Sequence, residues 1–537
     1  VTGRLVVLMV ILLGVISTTS NSISQVSPWH VKYKDSIIPT EAYGVPRILF
    51  VESIDSVFFV LREQVFKNFR PRKFIIEHLD SELQCITRKD ISDALNERDF
   101  EIQDVLRLND RLLILSTNYE RESEHRLFFI QEINYNTLTL GQRVEIYRFK
   151  TSANAYFETE FFHAPGEQKI LFSVIPEKRV PLIRKQENDY RELVLLNRDL
   201  TVHQRIGKLD MRVKGVDFSI VQTLVNDSGD LYFLAQKIPD KKSEEPDYYV
   251  LKYAQNTLIS QILNFKEGKI KRARIEMNPN GQVLIMGYFG EIKRFNPGVG
   301  VFTAVLNADS LQVEKLKSEL IRNEVLMVGL PDRQKRKWLR EIQAGRDLKL
   351  DNDIVPLFFI RHPSGQVSMI GEIQYVNVES TSFAQSGSMQ RFTYNYEHLF
   401  VTRVDVEGNI LWTSKIPKLY RSNIDLIQSF LAIGVGENIH LFFNDNLDNL
   451  QPNPKKGTRY LSGRARFNFV ANFSVDSLGK TSNIPLLKYN TQPFERIEML
   501  NMFTDAAISG NQHLLFITSS QMKYRYLLAS PLGSFID

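Results

Sequence analysis

Along the chain, short polar turns that usually carry glycine alternate with runs of apolar or β-branched residues. The unit occurs as "ESIDSVFFVL" at Glu52, "LNDRLLILS" at Leu108, "APGEQKILFSV" at Ala164 and "NDSGDLYFLAQ" at Asn226. It returns as "NPNGQVLIMGY" at Asn278, "HPSGQVSMIGE" at His362, "GVGENIHLFFND" at Gly434 and "ISGNQHLLFIT" at Ile508. Apolar runs bounded by turn residues predict strand–turn–strand hairpins, here eight of them. Their spacing of roughly 50 to 85 residues is that of a repeat architecture with insertions.

A second kind of hairpin lies between them, in which an alternating strand meets a turn with Asp or Asn and then resumes. Examples are "KFIIEHLDSELQCI" from Lys73, "LFFIQEINYNTLTLG" from Leu127, "ELVLLNRDLTVHQRI" from Glu192 and "YYVLKYAQNTLISQI" from Tyr248. "VFTAVLNADSLQVEKL" from Val301, "LFVTRVDVEGNILWTSKIPK" from Leu399 and "NFVANFSVDSLGKTSN" from Asn468 continue the series. In these, Gly408 reads as a turn residue. One turn of each kind makes four antiparallel strands, A to D, which is the blade of a β-propeller.

The expected fold is therefore all-β, a single propeller of about eight four-stranded blades, with seven as the alternative if one unit is degenerate. The eighth unit lacks its outer strand, and "WHVKYKDSII" from Trp29 can supply it and close the ring. Closure removes two sheet edges that invite aggregation. A tandem of β-sandwiches would need Pro- or Ser-rich linkers, and none is evident.

The A–B and C–D turns are short, which trims one face. Long B–C stretches begin at Pro176, Lys237, Tyr288, Val378 and Asn446, and read as irregular loops on the opposite face. Binding resides most often on long loops over a rigid scaffold. The connection between the fifth and sixth units carries "PDRQKRKWLREIQAG", residues 331–345, which predicts a helix capped by Asp332 and ended by Gly345, with Trp338, Leu339 and Ile342 as its apolar stripe. Its cations Arg333, Lys335, Arg336, Lys337 and Arg340 are either a solvated face or an anion-binding patch. In "QRFTYNYEH", Phe392, Tyr394 and Tyr396 alternate and so project from one side of a strand that also holds His398. Blade packing and a stacking platform for a ligand both fit that pattern. Trp412, beside Leu411, reads as core. The candidate ligand-binding residues are thus Phe392, Tyr394, Tyr396, His398, Arg333, Arg336 and Arg340.

Composition supports a folded, β-leaning chain: 43% hydrophobic and 24% charged, with 35 Phe and 20 Tyr in 537 residues. A net charge of +5 excludes a strongly basic nucleic-acid binder. Residues 1–24 have the pattern of a signal peptide: Arg4, an apolar run over 5–16, then small polar residues including Ser22 and Ser24 before Gln25. That run, roughly 12 residues, is short of the roughly 20 that span a bilayer. The expected organisation is a signal peptide at 1–24 and a propeller at 25–537, with no membrane span in the mature chain and a periplasmic or extracellular location. Cys85 is the one cysteine, so no intramolecular disulfide forms.

Dedicated chemistry is sparse. The nine histidines have no zinc spacing, and "NDNLDN" from Asn444 offers clustered oxygens but lacks the glycine and distal Glu of an EF-hand loop. Phosphate-loop, nucleophile-elbow and dinucleotide motifs do not occur in a strand-to-helix context. No cofactor or metal is expected, and spacing names no catalytic residue.

The stretch "LFVTRVDVEGNILWTSKIPK" resembles the strand pair of pyrroloquinoline-quinone-type propeller repeats, a Gly turn followed by a Trp strand. "VLIMGYFG", "YNYEHLFVTRVDVEGNILWTSKIPK" and "IHLFFNDN", in that order over 281–446, resemble a group of uncharacterised exported bacterial proteins. The resemblance implies an exported, quinoprotein- or WD40-like propeller and no particular activity. The functional expectation is an exported, monomeric binding protein that engages a protein or cell-envelope glycan through its long-loop face. The alternative is a polysaccharide hydrolase or lyase, with carboxylates or His398 in a central funnel. Quinone or metal binding by the ring is a third reading.

Overall fold

The structure, a computed structural model, describes residues 29–35, 47–54, 57–65, 72–80, 83–91, 100–108, 111–152, 156–166, 168–177, 190–213, 215–237, 247–291, 299–345, 348, 350, 352–383, 387–422, 429–450, 455–461, 468–488, 499–500, 507–508, 514–520 and 523–531. The expected signal peptide lies outside them, as do most of the B–C stretches after Pro176, Lys237 and Tyr288.

Seven antiparallel sheets follow one another, each from a contiguous piece of chain: residues 47–90, 100–150, 156–210, 212–262, 268–320, 354–422 and 431–488. We call these blades 1 to 7. Each has four principal strands in sequence order, and blades 2 and 4 add a two-residue strand. An eighth sheet joins the two ends of the described chain. Trp29–Asp35 pairs antiparallel with Lys523–Pro531, from Trp29 opposite Pro531 to Asp35 opposite Arg525, and Leu514–Ser520 pairs with the other edge of Lys523–Pro531. This composite sheet meets blade 1 through Ala507–Ile508 against Arg47–Ile54, and blade 7 through Met499–Leu500. The fold is a closed β-propeller of four-stranded blades, and Trp29–Asp35 supplies the outer closing strand.

The burial pattern explains why the middle strands are legible as unbroken apolar runs. Successive residues of a strand point to opposite faces, and in a propeller both faces meet a neighbouring blade. Leu112 and Ile114 enter a core shared with Phe59 and Ile76 of blade 1, whereas Leu113 and Leu115 enter one shared with Phe172 and Val194 of blade 3. Most positions there are then apolar. The outer strands have one face free: Val313–Leu320 has no buried residue. The first strands of blades 4, 5, 6 and 7 touch each in turn, which places them around the axis of the ring.

Turns clasp one blade to the next. The Asp227 carboxylate of blade 4 accepts from the Gly166 amide of blade 3 at 2.9 Å, and Glu437 of blade 7 accepts from the Ser364 amide of blade 6 at 2.9 Å. Trp412 is half-buried rather than central, with its indole Nε1 donating to the Ser477 carbonyl at 2.9 Å. Asp405 Oδ1 accepts from the Asn409 amide at 2.8 Å and closes the turn in which Gly408 takes a φ of +80°. Gly281 has the similar φ of +77° but open space beside it, whereas a Cβ on Gly408 would stand 2.7 Å from Val305 of blade 5. Both glycine-to-alanine changes are expected to lose about 1–2 kcal/mol from the left-handed backbone. Gly408→Ala should lose more, and a Gly281→Ala loss equal to or above it in urea denaturation would contradict the blade contact.

Candidate functional site

Three insertions rise from the long-loop face between blades 5 and 7. The stretch from Val378 is not an irregular loop. Val367–Phe383 and Gly387–Val404, strands of 17 and 18 residues, pair continuously from Val367 opposite Val404 to Phe383 opposite Gly387. Polar and apolar residues alternate through it, which is the period of a half-exposed ladder rather than a loop. Among the described residues the blade's last strand, Ile410–Ser422, pairs as far as Tyr394, and beyond that point the hairpin has two strands.

The predicted helix spans Asp332–Gln343. Pro331, not Asp332, is its cap residue, and the Pro331 carbonyl accepts from the amides of Gln334 and Lys335 at 2.9 Å. Asp332 sits in the first turn, and Gly345 follows the helix with a φ of +71°. Trp338 and Ile342 pack onto the core shared by blades 5 and 6, but Leu339 is 45% exposed and is not part of the inward stripe. At about 100° per residue, Leu339 stands about 80° from the centre of that stripe.

The third insertion is the connection after Asn438–Asn446, and it knits the others together. Thr458 donates to the Gly329 carbonyl from its amide at 2.8 Å and its hydroxyl at 3.0 Å, just before the helix. The Leu461 amide donates to the Leu419 carbonyl at 3.3 Å, and Lys415 Nζ donates to the Leu326 carbonyl at 2.8 Å. Tyr375 and Tyr460 both donate to Glu397 Oε1 at 2.7 Å, and the Arg421 guanidinium lies 4.5 Å from the Tyr460 ring centre. The oxygens of "NDNLDN" serve this knitting: Asp445 Oδ1 accepts from Asn446 and Asn449, and Asn449 Oδ1 accepts from the Arg459 amide.

Beneath these three insertions, blades 6 and 7 enclose charge. Lys418 Nζ donates to Glu372 Oε1 at 2.5 Å and to Ser429 Oγ at 2.8 Å, with Lys418 and Glu372 1% and 0% exposed. The rings of Tyr396, Tyr420 and Phe443 stand 5.8 to 6.0 Å from that ammonium. Burial depresses the Lys418 pKa, against the opposing pull of Glu372. Asp445 Oδ2 is buried without a hydrogen-bond partner among the described residues, and burial pushes its carboxyl up to about 7. Burial, helped by Lys335, brings Lys415 down to about 7.

The candidate residues therefore separate. On one face of the hairpin, Tyr396 is core, Tyr394 is half-buried against the same core and Phe392 is 43% exposed. Their alternation is real, and only its outer end faces solvent. His398 is buried at a register shift with a φ of +27°, its Nδ1 accepting from the Lys418 amide at 3.4 Å, and burial followed by Lys415 and Lys418 holds its pKa well below the usual range. It lies on the third strand of its blade, so the ring's axis, lined by first strands, does not contain it. Arg333, Arg336 and Arg340 are exposed on the helix. Glu372 and Lys418 were missed by motif reading, and Asp445 was met only as one of the oxygens of "NDNLDN". Their one sequence signal is a charge inside an otherwise apolar strand, as in "SMIGEIQ".

On the trimmed face a hollow of about 690 Å³ lies between blades 2 and 3, lined in part by Arg111, Glu132, Glu145 and Asp199. Its charges answer one another or nearby groups: Arg111 stands 3.7 Å from Glu132, Glu145 pairs with Arg148 and Asp199 accepts from the Thr201 hydroxyl. No helix among the described residues is long and apolar enough to cross a membrane.

No protein-family model matches the chain, and no curated protein matches it. Among solved structures, the WD40 domain of SCAP from fission yeast is 7% identical, with 95% of this chain and 99% of that one covered at a TM-score of 0.37. The β-propeller domain of the Trilobed protease from Pyrococcus furiosus is 10% identical, covering 85% of this chain and 99% of that one at 0.35. The polysaccharide lyase Uly1 is 10% identical, covering 81% and 90% at 0.36. These likenesses concern the arrangement of strands, and the propeller stands on the sheet pairings given above.

Proposed function

We propose that the chain is an exported, monomeric binding propeller that captures a protein partner on the blade 6 hairpin. One observation carries the reading: among the described residues the hairpin beyond Tyr394 is two-stranded, and Val376, Val378 and Phe392 stand on one face of it, 47%, 51% and 43% exposed. Val376 lies opposite Tyr394 and Val378 opposite Phe392, so the apolar stripe runs out from the core without a break. An unpaired strand edge beside apolar side chains is the arrangement to which an extended peptide adds as a further strand. Ladder hydrogen bonds then supply affinity, and the side chains supply selectivity. Export is supported by residues 1–24.

The triple variant Val376→Ser, Val378→Ser, Phe392→Ser tests this reading. Exposed substitutions of this kind shift stability by about 0.5 kcal/mol or less each, so the thermal midpoint should hold. Capture of proteins from the cell envelope, compared by quantitative mass spectrometry, should lose at least one species by about tenfold, a loss of about 1.4 kcal/mol of binding. Identical captures by wild type and variant would overturn the proposal.

A further inference from the structure

We propose that the exposed stripe of the Asp332–Gln343 helix, extended by Lys455 and Lys456, is a binding site for a linear acidic polysaccharide. This site is separate from the hairpin stripe and does not depend on the protein-capture reading. Arg333, Arg336, Lys337 and Arg340 fall at i, i+3, i+4 and i+7, which places them within about 100° of arc. They point away from Trp338 and Ile342, which fasten the helix to the core of blades 5 and 6. Among the described residues no carboxylate pairs with Arg333, Arg336 or Lys337, and the one hydrogen bond of Arg340 goes to the Arg336 carbonyl at 3.3 Å. Exposed arginines elsewhere do have carboxylate partners, such as Arg148 with Glu145, Arg212 with Asp217 and Arg88 with Glu77.

Like charges three and four residues apart destabilise a helix, each pair by about 0.2–0.5 kcal/mol. Asp332 and Glu341 stand four residues from Arg336 and Lys337 and offset part of this penalty, but four cations flanked by two carboxylates leave the stripe net positive and suited to an anion supplied from outside. The second segment strengthens that conclusion. Gly457 rests on Pro331, where an added Cβ would stand 2.7 Å from Cδ, and Thr458 holds the Gly329 carbonyl. These contacts bring the lysine pair that precedes Gly457 to the start of the helix.

The stripe is about 10 Å long at 1.5 Å per residue, and the lysine pair adds exposed charge near its first turn. A chain polymer with a carboxylate on successive sugars complements such a line of charges. The helix has already committed its apolar face to the blades, so it has no wedge to enter a lipid surface. Binding driven by this row of ions is steep in salt.

Polygalacturonate is the probe, with neutral galactan, vesicles containing anionic lipid and duplex DNA as comparators, in titrations at several salt concentrations. The full chain is expected to bind polygalacturonate with an affinity that falls as salt rises, and to leave galactan unbound. The variant Arg333→Gln, Arg336→Gln, Arg340→Gln should lose at least tenfold in affinity with its thermal midpoint unchanged or raised, since it removes repulsion. Should that variant fail to fold, Arg336→Gln alone should lose about threefold, and Lys456→Gln a similar amount. The serine triple on the hairpin should bind polygalacturonate like wild type, so failure here and failure of the protein-capture reading are separate results. Absence of polygalacturonate binding by wild type, equal binding by wild type and the arginine variant, or tighter binding to vesicles or DNA through the same residues would each overturn the proposal.

Discussion

Glu372→Ala is expected to cost about 3–5 kcal/mol of stability, because it leaves a buried ammonium without its counter-ion. Lys418 Nζ would keep only Ser429 as a hydrogen-bonding partner, within a ring of Tyr396, Tyr420 and Phe443. Removing both charges is a different matter. The pair sits in an apolar setting, and replacing a buried ion pair by well-packed apolar groups is often neutral or stabilising. Glu372→Leu combined with Lys418→Met should therefore recover most of the loss. Urea denaturation followed through Trp338 and Trp412, which flank blades 5 to 7, reads both variants. A single-variant cost below about 1 kcal/mol, the size typical of exposed pairs, would mean that the seam between blades 6 and 7 is wet.

Asp445→Asn should stabilise the protein increasingly as pH rises. Burial lifts this carboxyl from 3.8 to about 7, with the hydrogen bonds from Asn449 and Asn446 and the charge of Lys418 opposing that rise. The unfolded chain then releases the proton near pH 4 and the folded chain near 7, so between those values the folded state binds more protons. This group's contribution is full below about pH 4 and is lost as pH approaches 7, on the order of 4 kcal/mol. Asparagine keeps an oxygen for the two donors and has no proton to lose. The two proteins should melt closest together near pH 4 and diverge in favour of the variant toward pH 8. His398, whose pKa is depressed, favours the folded state as pH rises, but it is common to both proteins and cancels from their difference. A difference in melting temperature that stays flat with pH would contradict a buried, proton-holding Asp445.

The fold was legible because its turns and its middle strands are dictated locally. Asp405 and Gly408 form their turn from their own side chain and backbone freedom, and a strand such as Leu231–Lys237, buried on both faces over its first five residues, is written as a run of apolar residues. Ring closure was legible too, since a last hairpin without an outer strand and a leading strand without a sheet require each other. The stretch from Val378 reads as an irregular loop because Glu379 and the Ser- and Gly-rich residues after it interrupt the apolar run, and only the alternation of Phe392, Tyr394 and Tyr396 betrays the ladder with a solvent face. The charged seam was hidden for another reason. Glu372 and Lys418 are 46 residues apart, and they meet through a register shift at Glu372 and Ile373 opposite Glu397 and Leu399. No local pattern encodes a shift of register between strands. The site residues divided along the same line: Tyr396 and His398 are governed by that packing, whereas Arg333, Arg336 and Arg340 follow from helical periodicity alone.

The central claim, that the blade 6 hairpin is the partner-binding surface, is most directly tested by photo-crosslinking in the cells that make the protein. A benzophenone side chain would replace Phe392 in one sample and Val202, exposed on the trimmed face, in another. The account predicts a crosslinked protein adduct of defined mass from position 392 and none from position 202. Adducts from 202 with none from 392 would contradict it.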